Sequence, residues 1–142
     1  MKPCRPLAER FWERVDQRSP EECWPWTASK NNKGYGQISK GGRTGQHLLA
    51  HRVAYELFVG PVPPGLELDH VRARGCVRTD CVNPAHLEPV THRENIRRGY
   101  AAKPNCPAGH AYAPENTYLT PRGHRRCRAC HREEARKKRS LA

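Results

Sequence analysis

Residues 68–99, LDHVRARGCVRTDCVNPAHLEPVTHRENIRRG, crowd histidine, cysteine and asparagine between arginines. By chemical type they separate into two sets of ligands. Cys76, Cys81 and His86 follow one another with four residues in each gap, and thiolates with an imidazole suit tetrahedral zinc. Three donors leave a closed zinc site one short. Cys23, in ECWPW, is the best fourth donor, because Cys4 lies in a terminus expected to be mobile. The alternative is that Cys23 is simply buried beside Trp24 and Trp26. What remains is Asp69, His70, Asn83, His92 and Asn95. Oxygen donors from Asp69 and Asn95 suit a hard divalent cation such as Mg²⁺ and would not complete a zinc–thiolate site. The stretch therefore holds two sites, one that staples the loop and one at its edges that can do chemistry.

A second cysteine set lies further on. Cys106-x3-His110 and Cys127-x2-Cys130 can each chelate from one turn, and together they supply four donors for a second tetrahedral zinc. The alternative is a set of unrelated thiols. His124 and His131 are substitute ligands or surface and phosphate-facing histidines.

These sites need elements to hold them. The chain has 142 residues, 36% hydrophobic and 7% aromatic, so its apolar core must be thin and metal staples are expected to supplement it. Residues 6–18 can form an amphipathic helix with Phe11, Trp12 and Val15 on one side. A strand is expected at 35–39, and KGGRTG at 40–45 reads as a turn. HLLAHRVAYELFVGP has helical periodicity, with Leu49, Val53 and Leu57 aligned and Gly60-Pro61 as the stop. LELDH and HLEPV read as two strands flanking a loop. Thr91 and Glu94 then form a capping box for a helix that Gly99 would end. The order is strand, loop, strand, helix.

Charge sorts the chain differently. There are 26 Lys and Arg against 14 acidic residues, a formal charge of +12, and +7 of it lies in residues 103–142. Such a surplus favours a polyanionic partner. No apolar run is long enough to span a membrane, and MKPCRPLAERFWERV has no secretory apolar region. The seven cysteines are therefore expected to stay reduced in a cytosol, where clustered thiols bind metal more often than they pair.

Asp69-His70, Asn83 and ENIRRG with Asn95 resemble the HNH endonucleases, as do AHRVAYELFVGPVPPGLELDH and CVNPAHLEPVTHRENIRRG, in the manner of the phage and mobile-element branch. The Cys76, Cys81, His86 spacing is similar to a zinc site of His-Cys box homing endonucleases, completed there by a distant upstream cysteine. The resemblance covers about residues 20–100. It implies an α+β fold: a small ββα-metal (His-Me finger) nuclease core in residues 1–100, stapled by zinc. Residues 103–142 would be a zinc-binding basic DNA-binding extension. VRARG, between His70 and Cys76, is longer than is usual in the family and alters the loop there.

The resemblance also assigns roles. His70 would be the general base and Asp69 with Asn95 would hold Mg²⁺ or Mn²⁺. Asn83 would pin the loop through backbone hydrogen bonds, and His92 would assist or stay at the surface. Two structural zinc ions would fill the cysteine sets. Double-stranded DNA would be the partner, gripped by Arg52, Arg93, Arg97 and Arg98 and, on the tail, by Arg132, Arg136, Lys137 and Lys138. The expected setting is cytoplasmic and nucleoid-associated, with monomer and homodimer both open. Two other classes compete: a non-catalytic zinc module that binds nucleic acid, and a scaffold for phage DNA packaging. The pairing of Asp69 with His70 at a strand end favours the nuclease, because a binding module has no need of it.

Overall fold

In the computed structural model, which describes residues 4–43 and 45–142, the chain forms two compact units, Met1–Asn95 and Ile96–Ala142. The first begins with α1 (Leu7–Trp12), much shorter than the expected helix over 6–18. Val15 is claimed by tertiary pairing instead. It forms an antiparallel bridge with Trp26, while the Asp16 N–H donates to the Pro25 carbonyl at 3.0 Å. Phe11 and Trp26, both fully buried, pack with ring centroids 5.5 Å apart and join Trp24, Ile38, Val53 and Val82 in the core. Gly36 lies against this cluster. A Cβ there would stand 2.6 Å from the Trp26 indole, so only glycine lets the strand approach.

Strand β1 (Gln37–Ser39) pairs antiparallel with β2 (His47–Leu49). The expected turn at 40–45 joins them, and its Thr44 lies outside the described residues. Helix α2 (Ala50–Phe58) follows without a break. Its buried face is Ala50, His51, Val53 and Ala54, whereas Leu49 and Leu57, expected in the core stripe, are exposed. Leu49 is taken by β2, opposite Gln37, and this shifts the inward face of the helix.

Strands β3 (Leu66–His70) and β4 (Leu87–Thr91) pair antiparallel in full register, Leu66 opposite Thr91 and His70 opposite Leu87. The connecting loop carries Cys76, Cys81 and His86. Helix α3 (His92–Ala101) starts directly after β4, and the Thr91 hydroxyl accepts the Glu94 N–H at 3.2 Å, as a capping side chain should. The helix runs through Gly99, contrary to the expected stop. A terminating glycine takes a positive φ, and Gly99 is not among the glycines that do.

In the second unit, β5 (Thr117–Leu119) pairs antiparallel with β6 (Arg125–Cys127), which leads into α4 (Arg128–Ser140). The Arg125 guanidinium donates to the Tyr100 and Lys103 carbonyls at 2.6 and 2.8 Å and covers the Tyr112 ring at 3.8 Å. Among the described residues no helix is long and apolar enough to cross a membrane. The fold is mixed helix and strand, with little core beyond the aromatic cluster.

Candidate metal centres and candidate active site

Cys23, Cys76, Cys81 and His86 bring one donor atom each to a common point, all within 4.8 Å of one another. Cys23 Sγ is 3.9 Å from Cys76 Sγ and 3.7 Å from His86 Nδ1, and Cys81 Sγ is 3.6 Å from the same nitrogen. A zinc tetrahedron with bonds of about 2.3 Å to sulfur and about 2.0–2.1 Å to nitrogen has edges of about 3.6–3.8 Å. The separations of 3.6, 3.7 and 3.9 Å lie close to that spacing.

Local structure explains the convergence. Gly75, with φ of 85°, closes a 3-10 turn over Arg72–Arg74 and reverses the chain into Cys76. Pro25 bridges to Cys81, and the Val82 N–H donates to the Trp24 carbonyl at 2.9 Å, which ties the Cys23 segment to the loop. His86 Nε2 lies 3.2 Å from the Glu21 carbonyl. A carbonyl only accepts, so that nitrogen carries the proton and Nδ1 turns its lone pair to the thiols. A hydrogen bond from the Cys76 thiol holds Cys81 down at about 5 and pushes Cys76 up, so a thiolate is ready for a cation to take the proton's place. Beside them Asp80, 5% exposed, is gripped by Arg78 at 2.7 and 2.8 Å and by Lys30 at 2.6 Å. Arg78 first, then Lys30, holds its carboxyl down at about 2.

The second group, Cys106, His110, Cys127 and Cys130, has the same geometry. His110 Nδ1 is 3.6, 3.4 and 3.7 Å from the sulfurs of Cys106, Cys130 and Cys127. The Asn116 amide donates to Cys127 Sγ at 3.3 Å, and His110 Nε2 faces Glu133 at 3.5 Å. Cys4, His124 and His131 belong to neither group. Both sets of four can hold zinc.

The other residues of interest gather along β3. His70 ends the strand, half-buried, with Nε2 3.0 Å from the Cys81 carbonyl. By the same tautomer argument Nδ1 is its basic nitrogen. Asp69 precedes it, opposite Glu88 in the register. Two residues earlier, and so on the same strand face as Asp69, Glu67 receives the Asn95 amide at 2.8 Å and meets His92 Nδ1 at 2.7 Å. Asn95 first, then His92, holds the Glu67 carboxyl below its usual range. With its Nδ2 on Glu67, Asn95 keeps Oδ1 for another partner. Asp69 and Glu67 on β3 and Asn95 on α3 offer oxygen donors, the type a hard divalent cation takes.

Asn83 sits apart from this edge. It is 1% exposed, donates to the Pro20 and Glu22 carbonyls at 2.8 and 2.7 Å, and accepts the Ala85 N–H at 3.0 Å. It knots the loop to the residues just before Cys23. A cleft of about 380 Å³ opens nearby, lined by Lys33, Tyr35, His51, Arg52, Glu67 and Asn95 among others.

Of the cationic residues read as DNA contacts, Arg52 is exposed and paired with Glu56 at 3.0 Å. Arg93, Arg97 and Arg98 lie on α3, and Arg132, Arg136, Lys137 and Lys138 are exposed on α4. Sequence reasoning passed over Glu67, Tyr35 and His51. The first carries a signal, since Glu-x-Asp in a strand puts two carboxylates on one face. The burial of His51 depends on segments distant in sequence and leaves none.

Comparison with known proteins gives this geometry a setting. A family model described as HNH endonuclease matches residues 48–97, which run from β2 through the strand pair into α3. Protein 2.8 of Escherichia phage T7 is 36% identical over 89 residues, 63% of this chain and 56% of that protein. Protein 7.7 of the same phage is 34% identical over 87 residues, 58% of this chain and 62% of its own length. The uncharacterized gene 5.3 protein of Enterobacteria phage T3 is 34% identical over 83 residues, 56% of this chain and 78% of its own. The chain thus spans less than two thirds of the two T7 proteins. No solved structure gives a significant match. The strand pair and helix that carry Asp69, His70 and Asn95 coincide with the matched segment, and the chain belongs to the HNH endonuclease family.

Proposed function

We propose that the protein is a metal-dependent endonuclease that hydrolyses phosphodiester bonds in double-stranded DNA, with β3, β4 and α3 as a ββα-metal core. The observation that carries this reading is the contact of His70 Nε2 with the Cys81 carbonyl at 3.0 Å. It fixes the tautomer a general base needs, at a strand end that also presents Asp69. His70 Nδ1 takes a proton from water as the oxygen–phosphorus bond forms and the bond to the leaving oxygen breaks. The Cys81 carbonyl then receives a charge-assisted hydrogen bond from the imidazolium, which steadies it. Asp69 and Asn95 hold the divalent cation, Mg²⁺ or Mn²⁺, which when bound supplies charge stabilisation at the phosphate and leaving oxygen.

Asn83 acts at one remove, keeping the Cys81 segment in place. The two Cys₃His groups hold structural zinc. Residues 1–100 form the nuclease domain and residues 103–142 a DNA-binding extension, with the arginines of α3 and the basic face of α4 on phosphates.

The test is nicking of supercoiled plasmid by wild type and His70→Ala, with Mg²⁺ or Mn²⁺ and with chelator. Wild type should nick only with metal. His70→Ala should lose about 10²–10⁴-fold in rate with DNA affinity nearly intact. Wild-type speed in that variant removes His70 from the mechanism, and no nicking by wild type favours the zinc-containing binding module.

A further inference from the structure

A second imidazole stands against His70. His51, the second residue of α2, is 7% exposed, and its ring centroid lies 4.9 Å from that of His70 and 5.4 Å from that of Tyr35. Its Nδ1 is shut off from solvent and has no hydrogen-bond partner among the described residues. A buried polar atom left unpaired costs stability, because it gives up its hydrogen bonds to water and gains none. Phenylalanine would fill much the same volume without that cost, so packing does not account for an imidazole here.

The rest of the ring does account for it. His51 forms part of the wall of the cleft shared by Glu67, Asn95, Arg52 and Lys33. Burial first, then His70 and Arg52, holds it down at about 3, so the ring is neutral at ordinary pH. A neutral imidazole has one N–H. With Nδ1 enclosed, Nε2 is the nitrogen able to offer that hydrogen to a molecule in the cleft.

We propose that His51 is a further catalytic residue, whose Nε2–H donates to a non-bridging oxygen of the phosphodiester lying in the cleft beside His70. This rests on the nuclease reading above. It differs from a packing role in one respect: the hydrogen-bond donor matters, and the ring as such does not.

The experiment compares His51→Phe with His51→Gln in the full chain, measuring kcat and KM for metal-dependent plasmid nicking and thermal unfolding by circular dichroism. Phenylalanine keeps the bulk and removes the donor; glutamine keeps an amide N–H at a similar reach. His51→Phe should lower kcat by about 10²–10³-fold with little change in KM, the loss typical of one phosphate-directed donor. His51→Gln should recover most of that. Wild-type kcat in His51→Phe, or glutamine no better than phenylalanine, overturns the proposal.

Long-range ¹H–¹⁵N spectra of the wild-type histidines, with Ca²⁺ and a short DNA duplex, give a second readout that needs neither turnover nor a stable variant. His51 should be the Nε2–H tautomer and its Nε2 should shift when duplex is added. An Nδ1–H tautomer or an unmoved signal overturns the proposal. A wild-type protein that does not nick defeats the nuclease reading instead, and these spectra then decide the phosphate contact by themselves.

Discussion

Replacing Asn83 by alanine tests whether the loop is held as its geometry implies. The side chain is 1% exposed and makes three hydrogen bonds, two donated to the Pro20 and Glu22 carbonyls and one accepted from the Ala85 N–H. At about 1 kcal/mol net for each bond, with more where a partner stays buried and unpaired, Asn83→Ala should cost about 3–5 kcal/mol. That corresponds to a fall of roughly 10–20 °C in melting temperature for a chain of this size. Asn83→Asp should be worse than alanine near neutral pH, because an acceptor-only carboxylate would face two carbonyl oxygens. The assay is thermal unfolding in zinc-containing buffer, followed by nicking at a temperature where each variant is folded. A cost below about 1 kcal/mol, or an aspartate tolerated like the native amide, would refute the view that Asn83 pins the loop.

Metal content gives a second check: elemental analysis of dialysed protein should find two zinc ions per chain. Cys127→Ser should retain one of them, whereas Cys81→Ser should unfold the first unit, since a closed site contributes its binding energy to folding. Two zinc ions persisting in Cys127→Ser would mean that its cluster is not a zinc site. On α4, neutralising the exposed Arg132, Arg136, Lys137 and Lys138 together should flatten the slope of log K against log[salt] for duplex DNA by about 3–4 units, if each meets one phosphate. An unchanged slope would exclude this face from the DNA contact.

The parts legible in the sequence are those set by local chemistry. Chelate spacing is short-range, so Cys106-x3-His110 with Cys127-x2-Cys130 could be paired without a fold, and Cys23 could be chosen as the fourth partner of Cys76, Cys81 and His86; the structure gathers both groups. The strand-like runs LELDH and HLEPV located β3 and β4, and the Thr91 cap located the start of α3. What could not be read depends on contacts across the chain. Val15 leaves α1 because Trp26 pairs with it, and Leu49 leaves the helical stripe because Gln37 does. The enclosure of His51 against His70 and Tyr35 has the same origin.

One long-range feature alters how the two sites in the opening stretch relate. By ligand type they are separate, zinc donors on one side and oxygen donors with an imidazole on the other. In space they share Cys81. Its sulfur belongs to the Cys₃His group, while its carbonyl oxygen lies 3.0 Å from His70 Nε2. A zinc ion fixing the sulfur would limit how far the peptide of the same residue can turn, and would so restrain the carbonyl that His70 Nε2 meets. The VRARG connection lies before Cys76 and takes no part in this coupling, because the Cys81 segment is held from elsewhere, by Pro25, Trp24 and Asn83.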